Sequence, residues 1–213
     1  MKMLTMKENQ YFNTNRYALV ILNALEDILG KNGVNTILNL SNLSDLINNY
    51  PPDNTEKEFN FSDLAAINLA MENIYGLRGS RGLAQRAGRA LFRDAYDRYS
   101  ALAGIGDLAI KVLPMNTKVR IGLNALAKLY TNYSDQYTTV SEREDTFLYS
   151  IHRCPVCWGR SGENKPVCFL YVGLLQEGLR FISNGKEFRV YESKCIAIGD
   201  QVCEYVIEKN PMN

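Results

Sequence analysis

Glu192-Ser-Lys-Cys195-Ile-Ala-Ile-Gly199-Asp200-Gln-Val-Cys203 reads as the end of one strand, a tight connection and the start of the next. Glycine and aspartate punctuate a turn. The flanking runs, about Glu187 to Lys194 and Val202 to Glu208, read as two strands. Three metal-ligand side chains stand in this one hairpin: Glu192, Cys195 and Cys203. Glu192 and Cys195 are three residues apart, so a regular strand would point them to opposite faces. They meet at one site only if the strand bends, which predicts a bulge or strand end at Ser193-Lys194.

The chain has five cysteines, Cys154, Cys157, Cys168, Cys195 and Cys203, all in its last third. Clustered thiols beside a carboxylate are a metal donor set, because Zn²⁺ takes soft thiolates in a tetrahedral shell at about 2.0–2.3 Å. Two sets stand open. Cys157, Glu192, Cys195 and Cys203 would close a mixed zinc shell, whereas Cys154, Cys157, Cys195 and Cys203 would give an all-sulfur zinc-ribbon or iron–sulfur site. A closed shell is structural, since it leaves no position for water or substrate. Four anionic ligands around a dication leave a net charge of about −2, and Arg153, Arg160 and Lys194 are the nearby cations in sequence. Cys168, in the apolar helix start Pro166-Val-Cys-Phe-Leu-Tyr, reads as a buried inert thiol. The one histidine, His152, is left outside the ligand set.

Outward from the cysteines, Gln136–Ser141 and Thr146–Ile151 are rich in Tyr, Thr, Val and Phe, and read as an antiparallel hairpin. Pro166–Ser183 repeats Leu170, Leu174, Leu175, Leu179 and Ile182 at helical spacing and ends at Asn184-Gly185. The amino-terminal half is helical by the same test. Thr14 or Asn15 caps a helix with Ala18, Ile21, Leu22, Leu25 and Ile28 on one face, stopped by Gly30. Short helices are expected over Val34–Leu40 and Asn42–Asn49 before the Tyr50-Pro-Pro-Asp-Asn loop. Ser62 is expected to cap a helix closed by Gly76, and Met115–Tyr130 forms another. Between them, Gly79 to Phe92 carries Gly82, Ala84, Ala87, Gly88 and Ala90, small residues suited to close helix packing. Its glycines do not match a phosphate loop.

The chain has 213 residues, 46% hydrophobic and 22% charged, with a formal net charge of +1. That is the composition of a globular protein with no general pull toward nucleic acid or anionic membrane. No apolar run reaches the length of a membrane span of about 18 residues, and Met1–Glu8 lacks an apolar signal core. The expected location is cytoplasmic, where thiols stay reduced and metal is favoured over disulfide.

Cys154-Pro-Val-Cys-Trp-Gly-Arg160, Pro166-Val-Cys168, Gly173-Leu-Leu175 and the Glu192–Cys203 stretch together resemble the 4-vinyl reductase domain. The ending Cys-x-Ala-x-Gly-Asp-x-x-Cys is the most specific part, and Arg86-Ala-Gly-Arg-Ala90 is similar to that family's first conserved helix. The resemblance covers roughly residues 60 to 208. It implies an α/β (α+β) fold of helices packed on an antiparallel β-sheet, related to transport-particle (TRAPP) subunits and haem nitric-oxide sensor domains. Residues 1–59 would be an N-terminal helical extension and 60–213 the ligand-binding domain with its metal site. In aromatic-responsive activators of this kind, zinc is held by three cysteines and a glutamate, which fall here on Cys157, Glu192, Cys195 and Cys203. Cys154 departs from that pattern and keeps the all-cysteine or iron–sulfur site open.

The function so implied is a homodimeric, zinc-containing binding or sensor domain for a small apolar or aromatic molecule. Phe92, Phe147, Tyr149, Trp158 and Tyr171 are its candidate pocket residues. Two alternatives stay beside it: a bacteriochlorophyll or tetrapyrrole 4-vinyl reductase (or its accessory protein), and a lipid-binding scaffold resembling transport-particle subunits. The sequence has no Gly-x-Gly-x-x-Gly after a strand to hold a hydride donor, which weighs toward binding rather than catalysis.

Overall fold

A computed structural model describes residues 10–103 and 112–212; the Met1–Glu8 segment discussed above lies outside the described residues. The sheet that carries the site has four strands, β3 (Thr138–Glu142), β4 (Thr146–Ile151), β5 (Val190–Lys194) and β6 (Cys203–Glu208). They run antiparallel throughout in the order β3-β4-β6-β5. Alternation fixes which face is buried. Phe147, Tyr149 and Ile151 on β4 lie opposite Ile207, Tyr205 and Cys203 on β6, and all six are sealed from solvent.

The helices are α1 (Asn15–Leu40), α2 (Phe61–Ala103), α3 (Met115–Tyr133) and α4 (Phe169–Ile182). Thr14 caps α1, its hydroxyl accepting the Tyr17 N–H. The expected stops at Gly30 and Gly76 are present as breaks inside α1 and α2, where φ reaches 68° and 67°. Only glycine takes that conformation without a Cβ penalty, so helical stretches abut there on a continuous path. α4 lies against α2 at a glycine crossing. A Cβ on Gly88 would meet the backbone of Leu170 and Leu174, and one on Gly173 would meet the backbone of Gln85. The small-residue stripe of the sequence is therefore a packing device.

Three local expectations change. Asn42–Asn49 forms only a 3₁₀ turn at Ser44–Leu46, because Asn42 and Asn48 take φ of 58° and 59° and interrupt a helix. Asn60 rather than Ser62 serves the start of α2, its Oδ1 accepting the Ser62 N–H at 3.0 Å. A short ladder, β1 (Phe12–Thr14) with β2 (Lys57–Asn60), brings the start of α1 to the start of α2. Through it, α1 shares one apolar core with α2, α3, α4 and the sheet.

Candidate metal centre

Five thiols converge on one side of β6. Cys203 opens β6, Cys195 precedes the 3₁₀ turn Ile196–Ile198, and Cys157 ends the 3₁₀ turn Pro155–Cys157. Cys154 stands just before that turn, and Cys168 occupies the N-cap of α4 with no side-chain hydrogen bond of the capping kind. All five are fully buried and free of disulfides. Sulfur–sulfur distances are 3.5 Å for Cys157–Cys203, 3.7 Å for Cys154–Cys168, 3.7 Å for Cys168–Cys195, 3.8 Å for Cys168–Cys203 and 4.0 Å for Cys195–Cys203. A disulfide needs about 2.05 Å. Sulfurs at the corners of a tetrahedron around zinc stand about 3.8 Å apart, given bonds of about 2.3 Å.

The ending that carries the family resemblance has a physical account residue by residue. Gly199 holds φ at 104°, which lets the chain reverse within one turn. The Asp200 carboxylate then accepts the Cys195 N–H at 2.8 Å, and the Asp200 N–H returns to the Cys195 carbonyl. Ala197 is fully buried beneath the turn. The Ile196 N–H points at the Cys203 sulfur, 3.4 Å away. The sequence expectation of a bend between Glu192 and Cys195 is met, since the β5–β6 register shifts between Glu192 and Lys194. The bulge turns Glu192 and Cys195 to the same side.

Glu192 is half-buried, but its carboxylate faces inward. Oε2 accepts the Cys168 N–H at 2.9 Å, while Oε1 is sealed from solvent without a hydrogen-bond partner. Burial, and then the neighbouring Cys195 thiolate, push its carboxyl up to about 10. Burial also raises the Cys168 and Cys203 thiols well above the usual cysteine range. At Cys157, the upward effect of the bond from Cys154 is outweighed by bonds from Cys168, Cys195 and Cys203, bringing the thiol to about 6.

Two donor sets each gather within 4.8 Å: Cys154, Cys157, Cys168 and Cys203, and Cys168, Glu192, Cys195 and Cys203. Glu192, Cys195 and Cys203 of the expected mixed shell thus share a set whose fourth member is Cys168, and Cys157 belongs to the other set with Cys154. Cys168 is not an isolated inert thiol: its sulfur touches those of Cys154, Cys195 and Cys203. The signal for it in the sequence is position, because a cysteine at a helix N-terminus is stabilised as thiolate by the helix dipole.

The cations expected around the cluster have other partners. Arg160 makes a two-pronged pair with Glu72 of α2, both bonds 2.8 Å, and reaches Glu163 at 3.0 Å. Burial works to lower its pKa, but Glu72 and then Glu163 outweigh burial and raise it. Lys194 pairs with Glu204, and Arg153 lies over the Tyr11 ring. Asn68 of α2 donates to the Val167 carbonyl at 3.2 Å, so α2 grips the segment between Cys157 and Cys168 from both ends. His152 bonds Thr139 Oγ1 at 2.9 Å and packs on Tyr137.

The candidate pocket residues are dispersed. Phe147, Tyr149 and Tyr171 are sealed in the core, with the Tyr171 hydroxyl donating to Gln136 and meeting that of Tyr17 at 3.2 Å. Trp158 packs edge-on to Tyr11 and Phe61. Phe92 lines an apolar groove with Val119, Leu123, Leu175, Leu179 and Ile182, between α2, α3 and α4.

No curated protein matches the chain. The fold is that of H-NOX proteins. The iron(II) unliganded H-NOX protein from K. algicida superposes with a TM-score of 0.55 over 92% of this chain and 96% of that one, at 14% identity. A mutant of that protein gives 0.57 at 13% identity with the same coverage. The H-NOX protein from S. oneidensis in its Fe(II)NO ligation state gives 0.52 at 15% identity, over 91% of this chain and 98% of that one. The 4-vinyl reductase domain model matches residues 147–209, the segment that holds β4 to β6, α4 and all five cysteines. The chain therefore carries a 4-vinyl reductase domain, set within a fold shared with H-NOX proteins.

Proposed function

We propose that this protein is a small-molecule binding or sensor domain whose site-bearing sheet and helix α4 are pinned together by zinc. Cys168, Glu192, Cys195 and Cys203 would hold the ion. The observation that carries the reading is the Glu192 oxygen Oε1, buried beside three thiols without a partner. An orphaned carboxylate oxygen costs about 1–3 kcal/mol or more, and a cation removes that cost. Zinc at this point would tie β5, β6 and the start of α4 together, contributing fold stability rather than an open reaction site. An iron–sulfur core would need its thiolates spread around several iron and sulfide atoms, and sulfurs 3.5–4.0 Å apart suit single ions better.

H-NOX proteins in the comparison hold iron, one of them ligated by NO, and the same fold here supports ligand sensing without haem. The residues present do not fit a haem. The one histidine is engaged with Thr139 and Tyr137 at the end of β4, and the thiols are committed to one another. Phe147, Tyr149, Tyr171 and Tyr205 fill the space beneath the helices. A smaller apolar or aromatic ligand fits better, with the groove beside Phe92 as its entry. That groove holds only about 30 Å³, so occupancy requires α3 to move away from α4.

Native against denaturing mass spectrometry of anaerobically purified protein tests the reading. Bound zinc, a retained organic ligand, and loss of zinc in Cys195→Ala and Glu192→Ala are the expected results. Metal-free protein that neither takes up zinc nor gains thermal stability from it would overturn the metal assignment. The native spectrum also tests the expected homodimer.

A further inference from the structure

We infer that the cysteine cluster is a dinuclear centre, two thiophilic ions bridged by the Cys168 and Cys203 thiolates. The inference rests on the metal reading above and adds a second ion to it. The two donor sets each contain four atoms and share two of them, Cys168 and Cys203. Two tetrahedra sharing an edge need six ligands, which the five cysteines and Glu192 supply without remainder. The first ion would take Cys154 and Cys157 as terminal ligands, the second Glu192 and Cys195.

The spacing supports both shells. Within the first set, Cys157–Cys203, Cys154–Cys168 and Cys168–Cys203 lie 3.5, 3.7 and 3.8 Å apart. Within the second, Cys168–Cys195 and Cys195–Cys203 lie 3.7 and 4.0 Å apart. All are close to the edge of about 3.8 Å that zinc–sulfur bonds impose. The shared sulfurs are also those whose surroundings favour extra negative charge. Cys168 sits at the N-terminus of α4, and Cys203 receives the Ile196 N–H.

Charge argues the same way. One dication would leave Cys154 and Cys157 as two buried thiols against the ligands of the occupied shell. Two dications with five thiolates and one carboxylate carry a net charge of about −2, the value of an ordinary four-thiolate zinc site. The chemical class of occupant is a soft d¹⁰ ion, and zinc is the probe.

Anaerobic zinc titration of the full chain, read by native mass spectrometry, tests the stoichiometry. Two zinc ions per chain are expected, falling to one in Cys154→Ala/Cys157→Ala and to one in Glu192→Ala/Cys195→Ala. Cobalt(II) provides a second readout that does not depend on the variants folding. Thiolate-to-cobalt absorption should grow to two equivalents, with a lower magnetic moment per ion once the second is bound, because bridging thiolates couple the spins. Saturation at one equivalent, with Cys154 and Cys157 open to alkylation, would overturn the dinuclear centre and leave the single-ion reading standing. No uptake at all would overturn both.

Discussion

The glycine crossing between α2 and α4 gives a severe test, because one chemical change has opposite expected signs along a single helix. A Cβ at Gly88 would lie 2.9 Å from the Leu170 carbonyl carbon and from the Leu174 nitrogen. A Cβ at Gly173 would lie 2.6 Å from Cα and the carbonyl carbon of Gln85. Favourable carbon contacts begin near 3.5 Å, so the helices must part by about 1 Å. Backbone cannot rotate aside as a side chain can. Overpacking costs about 1–3 kcal/mol and sometimes more, and the clash with backbone on both sides puts Gly88→Ala and Gly173→Ala at about 3 kcal/mol. For a chain of this size that is a drop of about 6–12 °C in melting temperature. Gly82, also in α2, has nothing within 4 Å of the added carbon. Gly82→Ala should stabilise by about 0.4–1 kcal/mol through helix propensity and the unfolded chain. Thermal denaturation of the three variants by circular dichroism, with metal state held fixed, is the assay. If Gly88→Ala and Gly173→Ala melt within about 2 °C of the parent, the close crossing is refuted.

Other expectations follow from the ties around the cluster. Arg160→Ala leaves Glu72 and Glu163 buried without their cation and should cost about 3–5 kcal/mol in urea denaturation. Glu192 has a folded pKa of about 10, above its unfolded value, so metal-free protein is most stable below the ordinary carboxylate range. That stability declines as pH rises toward 10, and Glu192→Gln should flatten the decline in a melting series with chelator present. Zinc uptake must displace this proton and those of Cys168 and Cys203, so affinity should rise with pH and calorimetry in buffers of different ionisation enthalpy should report proton release. Asp200→Ala removes the acceptor for the Cys195 N–H and should weaken zinc binding about 10–100-fold by competition titration.

What the sequence disclosed was what local geometry determines. The three-residue step from Glu192 to Cys195 demanded a bend, and β5 has its bulge there. Gly30 and Gly76 marked helix breaks because positive φ excludes most other residues. The alternating β4 and β6 residues and the leucine spacing of α4 likewise follow single-element periodicity. What stayed hidden depended on distant pairing. β1 and β2 have three and four residues, too short for a periodic signal, and meet across the whole of α1. Cys168 was misread for a related reason. Its neighbours Val167 and Leu170 are core residues, and nothing local reveals that the N-terminus of α4 is laid against the end of β6. The same burial hid the division of the cysteines, since Cys154 and Cys157 look like a self-contained pair until Cys168 and Cys203 are seen beside both.

Helix α4 is the element that both halves of the proposed function share. Its first turn follows Cys168, whose N–H binds Glu192 and whose carbonyl receives the Tyr205 hydroxyl at 3.1 Å. Its later residues Leu175, Leu179 and Ile182 line the groove beside Phe92. A 14-residue helix is about 21 Å long and moves as a rigid body. The Gly88–Gly173 crossing fixes its middle against α2, so a displacement at the groove end becomes a tilt about that crossing rather than a translation. Metal at the opposite end resists the tilt, because the ligands at the ends of β5 and β6 would have to follow Cys168. Ligand and metal would therefore act on one equilibrium, and any differential affinity of the ligand for the tilted helix must be matched by an equal change in metal affinity.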